Sequence, residues 1–114
     1  MDSKYKIVII VLLIMNLAMC NSTKGVYKNV TIVECEYPRF RAGYISTWIK
    51  ITIEQGKGKR DRVYYPHIGD KNFPIPGEKY DLYYKIEDIE GFVGKDDNQK
   101  IKNAKIVEKY TKKN

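Results

Sequence analysis

Between residues 44 and 54 the chain reads YISTWIKITIE. Ile45, Thr47, Ile49, Ile51 and Ile53 fall on one set of alternate positions, and Tyr44, Ser46, Trp48, Lys50, Thr52 and Glu54 on the other. A period of two, with β-branched residues along one set, describes a pleated strand with one buried face. Residues 79–87, KYDLYYKIE, repeat the pattern, with Tyr80, Leu82, Tyr84 and Ile86 inward. Weaker strands are expected over residues 26–37, 62–65 and 104–110.

Glycine and proline divide these runs. QGKGK at 55–59 supplies two glycines between the isoleucine strand and residues 62–65, which predicts a hairpin. Residues 67–77 hold Pro74, Pro76 and two glycines, and residues 90–100 hold Gly91, Gly94 and a charged end. Both are expected to be loops. No window longer than ten residues beyond the first twenty shows a helical stripe.

Five strands predict an all-β domain: a small five-stranded barrel or curled antiparallel sheet, which protects its edges by closure. Their order resembles an OB-fold, although the helix usual between its third and fourth strands is absent from the pattern. In layout the domain is similar to the small YxeA-like exported proteins of Gram-positive bacteria, with no diagnostic motif to carry over.

The first twenty residues break the alternation. Ile7 to Met19 is apolar apart from Asn16, follows Lys4 and Lys6, and ends near small Ala18. As a helix it would span about 20 Å at ~1.5 Å per residue, short of the roughly 30 Å core of a bilayer. A positive start and a short apolar middle describe a secretory signal peptide. Leu17-Ala18-Met19-Cys20 resembles the lipobox of bacterial lipoproteins, with Met19 where the family usually has a smaller residue. The resemblance implies that residues 1–19 are removed, that Cys20 becomes the lipidated N-terminus, and that residues 20–25 tether a domain over 26–112. The implied location is the outer side of a cell membrane, or an outer membrane, with the lipid on Cys20 as the contact.

An ordinary secreted protein is the alternative. Asn21-Ser22-Thr23 and Asn29-Val30-Thr31 match the N-glycosylation pattern, and Cys20 could then pair with Cys35. A lone Cys35 in a strand otherwise reads as a small apolar residue.

The chain carries 21 basic and 14 acidic residues. Loss of residues 1–19 removes Lys4, Lys6 and Asp2 and leaves an excess of +6. The sequence implies no cofactor and no metal. There is no paired CxxC, no zinc spacing and no phosphate loop followed by a helix. Glu87, Asp88, Glu90, Asp96 and Asp97 lack the alternation of a calcium loop and read as solvated surface. His67, the single histidine, follows Pro66 in a loop, and no spacing supplies the nucleophile and orienting group that catalysis would need.

Aromatic and basic residues are interleaved instead. Nine of the ten tyrosines lie beyond residue 20. Most suit strand packing. Trp48, Arg39, Arg41, Arg60, Arg62 and Tyr64 form the candidate surface, since cations beside aromatic rings suit stacked or anionic ligands. The expectation is a non-catalytic binding module for an envelope protein, a carbohydrate or an anionic polymer. Export disfavours nucleic acid. A structural or stress-related envelope protein is the second expectation.

Overall fold

The computed structural model describes residues 23–39, 46–68 and 70–114. Cys20, Arg41 and the signal segment lie outside the described residues. Five strands follow in order: β1 (Lys24–Glu36), β2 (Thr47–Gln55), β3 (Lys59–Pro66), β4 (Lys79–Val93) and β5 (Asp96–Lys113). They close a barrel in the order β1-β2-β3-β5-β4, with β4 returning to β1. The expected five-stranded β-barrel is present. It is mixed rather than wholly antiparallel, because β3 meets β5 in parallel at Tyr64↔Ile106 and β2 meets β4 in parallel at Thr47↔Phe92 and Trp48↔Val93.

The isoleucine alternation of β2 sets the interior. Ile49, Ile51 and Ile53 are buried, and β3 places Val63 opposite Ile51. Val30, Ile32, Tyr80, Leu82 and Val107 complete the inner core. Hairpin β2–β3 turns through Gly56, Lys57 and Gly58, all at positive φ, where glycine carries no steric cost.

Strand β1 serves two neighbours, β4 through Thr31 and β2 from Thr31 onward. Its bulge holds Asn29 at φ 51°, with the Asn29 N–H donating to Asp81 Oδ1 at 2.8 Å. Such a bulge bends a strand more sharply than regular pairing allows.

The loop after β3 is irregular, as its prolines predict. It turns inward and stops the barrel with Phe73, 1 % exposed. The Phe73 ring stacks on Tyr110 at 4.1 Å and meets Tyr65 and Tyr80 edge-on. Gly77 N–H donates to Ile32 O, and Ile32 N–H to Glu78 O, which fastens the loop to β1.

Residues 90–100 differ from expectation. They are strand apart from a tight turn at Gly94 and Lys95: β4 runs on to Val93 and β5 starts at Asp96. Glycine permits this extension rather than ending it. Gly91 has φ 136°, and a Cβ there would lie 1.9 Å from Ser46 O. Only a residue without a side chain lets β4 approach β2 that closely. The far end of hairpin β4–β5 therefore pairs along the start of β2 and helps form a second core of Tyr64, Ile89, Val93, Ala104 and Ile106. Among the described residues, the buried members of both cores lie between Tyr27 and Val107. Lys24 and Gly25, ahead of the expected start at residue 26, already belong to β1.

Candidate functional site

The β3–β5 seam is the narrowest closure of the barrel, with its backbone bridge at Tyr64↔Ile106. Side chains hold it elsewhere. Lys105 Nζ lies 2.6 Å from Asp61 Oδ2 and 2.6 Å from the Tyr27 hydroxyl, and that hydroxyl donates to the same Asp61 oxygen. Toward the plugging loop, Tyr110 and Tyr65 both donate to Asp70 Oδ2.

These networks shift their members in a consistent direction. Burial, then the bond to Asp61, pushes Tyr27 up to about 12. Burial alone would raise Asp61, but the bonds from Lys105 and Tyr27 outweigh it and hold the carboxyl below its usual value. Lys105 is raised by its bond to Asp61 and then by Tyr27. The bond to Asp70, then burial, pushes Tyr110 up to about 12, and the same bond holds Asp70 low. Among the described residues, each shifted carboxyl is lowered, and each shifted lysine, tyrosine and thiol is raised. General acid–base chemistry favours the opposite, a group brought toward neutrality. The seam networks are built as locks.

The candidate residues named from sequence separate. Arg60 and Arg62 are exposed on the outer side of β3, facing Glu54 and Thr52 across the ladder. With Thr52 and Asp61 they line a shallow depression. Neither guanidinium has an ion-pair partner among the described residues. Tyr64, on the same side, is 5 % exposed beneath the second core, so its ring offers no free face. Trp48 stands opposite Pro66, roughly 13 Å along β2 from Thr52 at ~3.3 Å per residue. Its ring packs on the second core and its Nε1–H donates to Glu90 O at 3.4 Å. It also borders a groove with Pro66, Ile68 and Ile106. Arg39 is exposed after β1, and its charge reaches Asp96. The described candidates thus occupy separate places: an arginine pair on β3, a tryptophan groove, and Arg39 near Asp96.

No family model, curated protein or solved structure matches this chain. The site is read from its own geometry.

Cys35 packs against the inner core opposite Ile51, and burial followed by the charge of Glu34 pushes its thiol up to about 11. That environment suits an inert apolar side chain. The His67 ring stacks edge-on with Tyr37 at 5.7 Å, and its backbone N–H donates to Thr47 O. Among the described residues no three His, Cys, Asp or Glu side chains gather as metal ligands would. Sequence reasoning missed Asp61, Asp70 and Lys105, whose bonds to Tyr27, to Tyr110 and to each other span 34 to 78 residues. No local motif could have signalled them.

Proposed function

We propose that this chain is an exported, lipid-anchored, non-catalytic binding module of the cell envelope, built on an OB-like barrel. Its ligand on this reading is an anionic polymer, bound at Arg60, Arg62 and Thr52. One observation carries the reading: two exposed guanidiniums stand on one side of β3, unpaired, beside a hydroxyl and a shallow depression. Guanidinium groups give planar, bidentate recognition of phosphate and carboxylate. The strand order supports the OB-like assignment, and in OB-folds the β2–β3 face is the one that binds polymers. The lipid anchor rests on the lipobox-like Leu17-Ala18-Met19-Cys20 at the end of the apolar run.

The test is binding of the folded protein to a glycerol-phosphate polymer and to an acidic polysaccharide, at two salt concentrations. Salt-sensitive binding that an Arg60→Glu, Arg62→Glu variant loses, with its melting temperature unchanged, is the expected result. Equal binding by the variant, or none by the wild type, removes the arginine pair as the site.

A further inference from the structure

The opposite side of the barrel carries a second cationic surface of different character. At one rung of the sheet, Val26 of β1, Tyr83 of β4 and Lys109 of β5 lie side by side. Val26 is 42 % and Tyr83 37 % exposed, among the most exposed large apolar side chains described. Lys109 Nζ lies 5.7 Å from the centre of the Tyr83 ring, and Lys28 Nζ lies 5.9 Å from it. Neither ammonium forms a direct ion pair among the described residues, although the charge of Lys28 reaches Asp81, whereas Lys24, Lys85 and Lys113 nearby each pair with a carboxylate. An apolar and aromatic centre flanked by two lysines without a direct ion pair therefore faces outward.

Position gives this surface its partner. The described chain begins at Thr23, whose carbonyl accepts from Ile86 N–H on β4, and Lys24 stands opposite Lys85, two residues along from the Val26–Tyr83 pair. Cys20 is three residues before Thr23, at most about 11 Å of extended chain. On the lipid-anchored reading, this is the part of the barrel that the anchor holds nearest the bilayer. The closed order β1-β2-β3-β5-β4 puts β3 across the ring from the β1–β4 pair, so Arg60 and Arg62 would then point away from the membrane.

We propose that Lys28, Lys109, Tyr83 and Val26 dock the barrel flat on an anionic phospholipid surface. Lysines neutralise headgroup charge, while tyrosine and valine enter the interface, where amphipathic rings are favoured. Such a surface adds a second attachment to the lipid chain, the combination that stable anchoring requires. The proposal takes its orientation from the anchored reading, but the docking surface is testable without the anchor.

Residues 23–114, which include every described member of both cores, are mixed with sedimentable vesicles of neutral lipid alone or with one-third anionic phospholipid. Folding is verified by a cooperative melt. Binding to anionic vesicles only, weakened by salt, is expected. Lys28→Gln with Lys109→Gln should weaken it roughly 30-fold, since each lysine near an anionic surface is worth about a factor of five. Arg60→Glu with Arg62→Glu should weaken it far less. Tyr83→Ser should lower binding while keeping the melt cooperative. Equal binding by the double-lysine variant overturns the proposal. So does binding to soluble polyphosphate through the same lysines without binding to vesicles. The N-terminal mass of the native protein reads the anchor separately, so failure of one leaves the other standing.

Discussion

Lys105 reaches across the β3–β5 seam to place its ammonium 2.6 Å from Asp61, on a strand it otherwise meets at a single backbone bridge. The pair is about one-third exposed on each side and shares the Tyr27 hydroxyl. Asp61→Ala should therefore cost about 1–2 kcal/mol in denaturant unfolding, as it leaves Lys105 beside Tyr27 without its counter-charge. Lys105→Met should cost less than Asp61→Ala. Equal stability of all three proteins would mean that the backbone bridge alone closes the seam.

The pH dependence follows from the directions of the shifts. Asp61 is lowered in the fold, so its contribution is present above about pH 4 and is lost as pH falls through the folded value. Lys105 is raised, so its contribution is complete below about pH 10 and is lost as pH rises through the folded value. Urea midpoints of wild type and Asp61→Ala should differ most between those limits and converge at acid pH. A constant gap down to acid pH would contradict the lock.

Tyr27 and Tyr110, each pushed up to about 12, favour the protonated phenol in the folded state. Their contribution is present below about pH 10 and is lost as pH rises toward 12. In an alkaline titration followed by phenolate absorbance, both should ionise late, together with loss of β-sheet ellipticity. Removal of Asp70 should bring Tyr110 down toward its ordinary value. Ionisation of all tyrosines near pH 10 with the sheet intact would refute the assignment.

Phe73 is the loop's plug, buried against Tyr110, Tyr65 and Tyr80. Phe73→Ala should destabilise by about 3–5 kcal/mol, the usual cost of emptying an aromatic core position. Phe73→Leu should recover part of it. A loss below 1 kcal/mol would show that the loop does not support the barrel.

Gly91 admits no side chain, because a Cβ would meet Ser46 O at 1.9 Å and φ is 136°. Gly91→Ala should lift the far end of hairpin β4–β5 off β2 and cost about 3 kcal/mol or more. Trp48, the single tryptophan, packs beneath that end and should shift its emission to the red. Unchanged emission would place the hairpin elsewhere.

Strand periodicity made the barrel legible. The alternation of Ile49, Ile51 and Ile53 set one face correctly, and the glycines at 56 and 58 marked the β2–β3 hairpin. Residues 90–100 misled because glycine has two uses, ending a strand and letting two backbones touch. Gly91 has the second. Tyr64 stood out as an aromatic residue among arginines, but hairpin β4–β5 adds a second layer outside the barrel that covers its ring. The Lys28–Tyr83–Lys109 cluster spans three strands and required the register of β1, β4 and β5 before its members could be seen as neighbours.

A barrel held at a membrane by its own N-terminus, as proposed, leaves its mark on the intact mass of the mature protein recovered from the host's membrane fraction. A chain that begins at Cys20 and carries a diacylglyceryl group, with or without an amide-linked acyl chain, is the predicted result. An unmodified terminus at or beyond Cys20, or an intact Met1, would contradict it.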